Sequence, residues 1–524
     1  MVGCRVSVLR RTALPFLAAL LMLSGARPAA ATIRYRVSLA NPEQHLFQVS
    51  MSVPVEGQQT VIALPAWNAL YQIRDFSLRL RGISGVCPAS TPVPLEMDML
   101  DKQTWRVSLR APCQSGGQSN FEIRYSIMWN DGGPFDSQLN NHHAFVNLAE
   151  ILMYVPDRRA EDVSVVFSNL PPEWKTAAQL DSPAGDTYTA PSYDALVDAP
   201  VEAGKFDEAQ FSSGGAHFRV IVDAGHWDKS RLEEALRLIT AYELQLMGSP
   251  PFDSPERGYM FIFHIGGFGE VGGGGMEHAN STAISGNSLE SVATTAAHEF
   301  FHVWNVKRIR PQALEPVDYS REQYTRALWF AEGVTNTYCS FTLERTGLWS
   351  KKQFYGDLAS QITDLQSRPA RVWQSAEDSS LEAWFEKYEV YNAPDRSISY
   401  YGKGQVLGVL LDLAIRDATD SHHSLDDVLR RMNAEYAQQH KFYDESEGVR
   451  ASVEEVAGKS FQDFFHRYVS GTDEIPYNDL LGVAGLELKE SGNGEDPRYS
   501  IAEVAHPTER QRRILAGFLR GRTD

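Results

Sequence analysis

The chain has 524 residues, 43% of them hydrophobic and 22% charged, a balance that excludes a disordered polymer, a collagen or a short disulfide scaffold. At roughly 150 residues per domain the length predicts two to four domains with large cores. Asp and Glu number 67 against 49 Lys and Arg, so the formal charge is −18 and a nucleic-acid partner is not expected.

Residues 1–31 read as a signal peptide. Arg5, Arg10 and Arg11 form a basic start, Ala13 to Leu23 is an uncharged apolar run, and Ala29-Ala30-Ala31 offers a small-x-small cleavage site. The 11-residue run is shorter than the roughly 20 residues that span a bilayer, although a retained anchor is the competing reading. Cleavage removes four Arg and no acid and leaves a charge of −22. No later stretch is long and apolar enough to cross a membrane, so the expectation is an exported protein, periplasmic or secreted.

From residue 32 to residue 204 the pattern is short and alternating, as in Tyr35 to Leu39, Phe47 to Met51, Trp105 to Leu109 and Phe121 to Tyr125. Such period-2 runs, separated by turn signals such as Asn130-Asp131-Gly132-Gly133-Pro134, predict an antiparallel β-sandwich-like domain. Cys87 and Cys113 lie 26 apart within it and can pair in an oxidising compartment or stand as two free thiols. Pro, Asp and Gly residues between Asp181 and Gly204 mark a boundary.

The period then changes. Residues 205–345 carry a mixed sheet, with strands at Phe218 to Val222 and Gly258 to His264, a helix over Ser230 to Met247, and a glycine-rich run from Gly266 to Gly275. Helical spacing dominates from Ser288 on, over Leu289 to Arg308, Arg321 to Thr346, Lys351 to Leu365, Gly404 to Asp417 and Ser424 to Gln438. The fold class is therefore multidomain α and β, with a mainly helical second subdomain over 346–486. Residues 487–524 read as a charged tail ending in one short helix, with Pro507 to Arg522 expected to dock on the body, and Cys339 reads as a core residue.

The chemistry begins at His298-Glu299-Phe300-Phe301-His302. Histidines four apart share one face of a helix and can bind one ion, and Glu299 can then face the water that the ion activates. Thirty residues on, Leu328-Trp329-Phe330-Ala331-Glu332-Gly333-Val334 sets an acid in an apolar helix, where it is costly unless paired or bound to metal. Pairing with Lys307 or Arg308 is the alternative. Two His and one Glu, with a fourth position for water, form the ligand set of a hydrolytic zinc site, so His298, His302 and Glu332 are expected to hold one Zn²⁺ per chain.

His298 to Pro311 (H-E-F-F-H-V-W-N-V-K-R-I-R-P), with the downstream F-A-E-G-V-T, resembles the glycyl aminopeptidase family of zinc metallopeptidases, relatives of thermolysin and of the membrane-alanyl aminopeptidases. The likeness extends from about Tyr35 to Leu486 and includes Pro65-Ala66-Trp67 and Ile73-Arg74-Asp75-Phe76. It implies a thermolysin-like catalytic domain after the β domain, and peptide substrates with a free N-terminus and a small first residue, Gly or Ala.

By the same resemblance, Gly274-Gly275-Met276-Glu277-His278 corresponds to the exopeptidase motif. Glu277 becomes the anchor of the substrate's α-amino group, and Gly274 and Gly275 bind its backbone. His278 stands where relatives carry Asn. In Tyr400-Tyr401-Gly402-Lys403-Gly404, the register of the relatives' Y-x-K-G favours Tyr401 over Tyr400 as donor to the oxyanion. Family members often carry a C-terminal PDZ domain, for which the 38 residues after Leu486 are too few. Glu299 is the expected general base. The alternatives are an endopeptidase with the same site and a catalytically silent, zinc-containing peptide binder.

Overall fold

The computed structural model describes residues 33–521 apart from short stretches at 69–70, 89–91, 110–112, 114–118, 225–226, 249, 253, 255–256, 267–272, 386–392 and 494–495. The signal-peptide reading of residues 1–31 lies outside the described residues. No helix among the described residues is long and apolar enough to cross a membrane.

The alternating N-terminal segments form strands that bury one face each. Ile33–Ser38 and Leu46–Pro54 are central in an eight-stranded sheet and pair antiparallel from Arg34↔Ser52 to Ser38↔Gln48. Burial in Leu46–Pro54 follows the period-2 pattern, with Phe47, Val49, Met51 and Val53 inside. The sheet departs from pure antiparallel order at one edge of Ile33–Ser38, which runs parallel to Val163–Ser168. A three-stranded sheet, Gln59–Ala63, Thr104–Ser108 and Glu96–Asp101, packs with it around Phe47, Phe121, Trp105 and Tyr125. Cys87 and Cys113 are joined by a disulfide within this core.

A second N-terminal sheet carries Gln138–Leu139, His143–Val146, Val201–Gly204 and Lys175–Ala177. It lies against the five-stranded sheet that follows, and the two share a small core of Phe145, Phe206, Ile221, Met260, Ile262 and Ala283. In the five-stranded sheet Ala216–Ala224, Tyr259–Ile265 and Ser281–Gly286 are parallel, with the helix Lys229–Met247 as the first crossover. Strand Tyr259–Ile265 is buried along its whole length, as a parallel strand covered on both faces must be. The short strand Gly274–Glu277 is antiparallel to Ser281–Gly286 and forms the sheet edge.

The helical half packs on the other face of this sheet. Leu289–Phe301 lies directly on it, followed by Thr335–Arg345, Lys351–Ser367, Tyr400–Ala418, Leu425–Glu435 and Glu445–Ala457. The helical spacing read over Arg321 to Thr346 becomes regular only from Leu328, where a π-helical turn, Trp329–Val334, precedes the α-helix. Ahead of the expected closing helix, the C-terminal region is a hairpin rather than a charged tail. Leu486–Asn493 and Asp496–Glu503 form a hairpin, and the helix Glu509–Arg520 buries Ile514 and Phe518 on the body. The Phe518 ring sits 5.5 Å from Phe341 and 5.7 Å from Phe354. This helix is amphipathic, so its mean composition is polar while one stripe is apolar.

Candidate metal centre and active site

The helix Leu289–Phe301 opens with a capping box, in which Ser288 and Ser291 exchange side-chain-to-backbone hydrogen bonds of 3.1 and 3.3 Å. Val292, Ala296 and Phe300 are fully buried on the sheet side, with the Phe300 ring 5.1 Å from Tyr259 and 5.7 Å from Phe218. Anchoring that face directs His298 and, one turn on, His302 toward the helical half.

The two Nε2 atoms lie 2.9 Å apart. Glu332 Oε2 stands 3.2 Å from His302 Nε2 and 3.5 Å from His298 Nε2. Bonds of about 2.0–2.2 Å to a tetrahedral cation put neighbouring donors roughly 3.3 Å apart, so the three atoms fit such an ion. His302 Nδ1–H donates to the Asn305 carbonyl at 2.7 Å, which leaves the Nε2 lone pair facing the other two donors.

Asn305 also fixes the opposite member of the donor set. Its Nδ2 donates to the Phe330 carbonyl at 2.8 Å and to the Ala331 carbonyl at 3.3 Å, in the wide turn that presents Glu332. A single residue thus ties both ends of the donor set together. The link that aims it is strained: Val306 has φ +145°, a costly value for a β-branched residue.

Burial opposes charge throughout the site, and the neighbours decide who keeps it. Burial alone would lower the pKa of His302, but Glu332 beside it raises it to about 10. At His298 burial, reinforced by His302, lowers the pKa. Burial likewise works against the Glu332 carboxylate, yet the two imidazoles hold it well below the usual range. Burial pushes Glu299 upward, with Glu277 and Glu332 adding to the rise and His302 opposing it.

A cavity of about 260 Å³ opens on these groups and is walled by Tyr71, Phe135, Gly275, Glu277 and Tyr401. Glu299 is 4% exposed, and its Oε2 makes no hydrogen bond. A Cβ at Gly275 would overlap the Glu299 carboxyl, so only glycine lets this strand pass so close. Gly274, at φ +150°, precedes it, and its missing side chain leaves room for the Phe135 ring. Glu277 ends the strand and reaches within 4.8 Å of ligating atoms on Glu299 and His302. His278 turns away from the cavity and binds Asp198 through Nδ1 at 3.2 Å.

Tyr401 enters through a backbone crossing. Helix Tyr400–Ala418 meets the turn Trp329–Val334 at Gly404 and Gly333, where a Cβ on either residue would strike the other's backbone. Tyr401 lines the cavity, its ring centroid 6.4 Å from that of His298. Tyr400 is buried behind it, stacked at 4.7 Å. The structure therefore brings His298, Glu299, His302, Glu332, Glu277, Gly275 and Tyr401 to one cleft.

Sequence reasoning missed Asn305 and the N-terminal wall. Arg74 donates to the Phe135 carbonyl at 2.6 Å and pairs with Glu150 at 3.0 Å and with Asp136, which holds Phe135 over the cleft. Trp67 Nε1–H donates to the Asp318 carbonyl at 2.7 Å. Asp198 was also missed. It pairs with Lys307 at 2.8 Å and accepts from Ala279 N–H at 2.9 Å, locking the loop after Glu277.

Burial disfavours the Asp198 charge, but Lys307 and His278 hold its pKa well below the usual range. A depressed carboxylate contributes stability that is complete above its unfolded pKa, near 3.9, and lost as pH falls below it. Asp198→Asn is therefore expected to cost about 2–3 kcal/mol near pH 7, and less than that near pH 3, by urea unfolding. An undiminished difference in acid removes the ion pair as its cause.

A helix bearing two histidines, a carboxylate from a following helix and a mixed sheet whose edge strand lines the cleft define a metallopeptidase of the aminopeptidase type. The family model described as M61 glycyl aminopeptidase matches residues 291–407, and the Peptidase M61 N-terminal domain matches residues 34–205. The chain belongs to the M61 glycyl aminopeptidase family, and it is a metallo-aminopeptidase. Among solved structures, an aminopeptidase N family protein from Idiomarina loihiensis is 24% identical, with a TM-score of 0.81 over 88% of this chain and 79% of that one. An M1 zinc metallopeptidase from Deinococcus radiodurans, bound to a Tyr-Ser-Ala substrate, is 13% identical with a TM-score of 0.50, covering 85% of this chain and 95% of that one. Both show a shared fold. No curated protein matches the chain.

Proposed function

We propose that the protein is an exported zinc aminopeptidase that releases small N-terminal residues, Gly or Ala, with Glu299 as general base. The observation that carries this reading is the position of Glu277. It is a buried carboxylate on the edge strand, within 4.8 Å of ligating atoms of Glu299 and His302, so only a short segment of substrate fits between anchor and reaction centre. His298, His302 and Glu332 would hold Zn²⁺, which would supply Lewis acidity toward the scissile carbonyl and toward water, whose pKa such a site lowers toward 7.

The chain's own residues do the rest. Glu277 accepts hydrogen bonds from the substrate's α-ammonium and sets the first peptide bond over the centre. The outer edge of Gly274–Glu277 offers backbone groups to the substrate chain. Glu299 takes the proton from the attacking water and delivers it to the leaving amine. The Tyr401 hydroxyl donates to the carbonyl oxygen as negative charge grows on it. Tyr71 and Phe135 narrow the cavity, which supports a small first residue. The Cys87–Cys113 disulfide supports an oxidising compartment, in line with the signal-like residues 1–31.

The test compares anilides and peptides with free and acetylated N-termini. Glycyl and alanyl anilides are expected to be cleaved faster than leucyl or phenylalanyl ones, and acetylated substrates to be nearly inert. Equal cleavage of blocked and free peptides would make the enzyme an endopeptidase. In Glu277→Gln, kcat/KM for free peptides is expected to fall at least about 30-fold, the size of a charged hydrogen bond worth about 2 kcal/mol. Tyr401→Phe is expected to lower kcat by about 10²-fold with little change in KM, whereas Tyr400→Phe leaves kcat near that of the wild type. The reverse order would transfer the donor role to Tyr400.

A further inference from the structure

The interface between the second N-terminal sheet and the five-stranded sheet is apolar over most of its area, yet it ends in a polar layer. Along Tyr259–Ile265 the residues facing the interface run Met260, Ile262, His264, and along Ala216–Ala224 they run Ile221, Asp223. Asp223 and His264 are direct neighbours in the parallel ladder. Across the interface, His143 lies two residues before Phe145 on one strand, and Glu202 is paired with Phe145 on the next. Four strands therefore exchange hydrocarbon for imidazole or carboxylate at one level.

Three of these groups, His143, Glu202 and His264, bring ligating atoms within 4.8 Å of one another, and Asp223 meets them at His143. Glu202 is fully buried and bridges the rings, with Oε1 2.9 Å from His143 Nδ1 and Oε2 2.9 Å from His264 Nε2. Asp223 Oδ2 stands 3.2 Å from the same His143 Nδ1. The other face of His143 is spoken for. Its Nε2 meets Gln138 Oε1 at 3.0 Å, and Gln138 is oriented by donating from Nε2 to Asn130 Oδ1 at 3.3 Å. Nε2–H is then the donor, which turns the Nδ1 lone pair toward two carboxylate oxygens. Three acceptors meeting at one buried point call for a proton or a metal ion among them. A ring nitrogen whose partner N–H is fixed by a carbonyl is the usual arrangement of a metal-bound histidine.

We propose that His143, Glu202 and His264, with Asp223 beside His143, form a second zinc site, separate from the catalytic cleft, that fastens the N-terminal sheet to the catalytic sheet. Two imidazoles and a carboxylate form a donor set that suits Zn²⁺, and Asp223 beside His143 can complete a closed tetrahedral site, which serves structure rather than catalysis. The individual contacts of 2.9–3.2 Å, made through the two oxygens of Glu202 and through Asp223, compare with 2.9–3.5 Å among His298, His302 and Glu332. The rival arrangement holds the same groups with protons alone, either with His143 as an imidazolium that donates from both nitrogens or with one carboxyl protonated toward its Nδ1.

The test uses the full chain, dialysed against zinc-free buffer, with metal content measured and anomalous diffraction recorded at the zinc edge. The wild type is expected to hold about two zinc ions, one at each site. Glu332→Ala is expected to keep the ion between His143 and His264 and lose the other. Glu202→Gln is expected to lose the interface ion while the ion at His298 and His302 stays. Anomalous density at the catalytic triad alone, with none between His143 and His264 after soaking with Zn²⁺, overturns the proposal in favour of the protonated network. That map is made on the wild type, so its outcome holds even where a variant fails to fold. A failed catalytic site would show as the absence of the other peak.

Discussion

Glu299→Gln is expected to lower kcat/KM by about 10²–10⁴-fold while the zinc content stays unchanged. The amide copies the carboxylate in size, and Glu299 sits in a slot closed by Gly275, so neither the helix nor the ligands have cause to move. What is lost is the ability to take a proton. The Oε2 atom, which makes no hydrogen bond in the folded chain, becomes either a second carbonyl-type acceptor or an NH₂ donor, and neither can carry a proton from water to the leaving amine. Steady-state kinetics on an alanyl anilide, with metal analysis of the same sample, decides the matter. Activity within a few-fold of the wild type would remove Glu299 from the reaction.

The second large effect is expected at Glu332. Replacing it with Ala should weaken zinc binding by more than about 100-fold, the upper end of what loss of an outer hydrogen-bonding partner costs, and activity should fall to background. The change removes one of three donors and also the charge that balances two buried imidazoles. Glu332→Asp separates these effects. It keeps the charge but shortens the reach by one methylene, and at a turn pinned by Asn305 the backbone cannot follow. Titration with Zn²⁺ should therefore find Glu332→Asp intermediate. Wild-type affinity in Glu332→Ala would mean that the carboxylate is not a ligand.

Much of this centre was legible in the sequence because its chemistry breaks local rules. Histidines four apart on an apolar helix, and an acid inside Leu328 to Val334, are costly placements that need a reason, and spacing alone puts the pair on one face. The strands were legible for the opposite reason, since Leu46–Pro54 obeys its alternation without exception. What stayed hidden depends on distance or on small changes of winding. The turn Trp329–Val334 adds a residue to its helix, and a 3.6-residue period cannot register that shift. Asn305 works through its backbone carbonyl as much as its side chain, and a carbonyl has no sequence signature. Asp198 meets Lys307 across 109 residues. The C-terminal hairpin carries charged residues such as Glu487, Lys489, Glu490 and Arg498 on exposed faces, so its composition resembles that of an unfolded tail.

The contact between Gly333 and Gly404 has a consequence for how this centre could be altered. With two main chains touching there, Glu332 and Tyr401 ride on what is in effect one welded joint, and the gap between them is fixed by backbone rather than by the fit of neighbouring side chains. Repacking the surrounding core should leave that gap unchanged, whereas any branch added at the joint shifts both groups at once. Anyone grafting the centre onto another scaffold would have to transplant both segments as a single block.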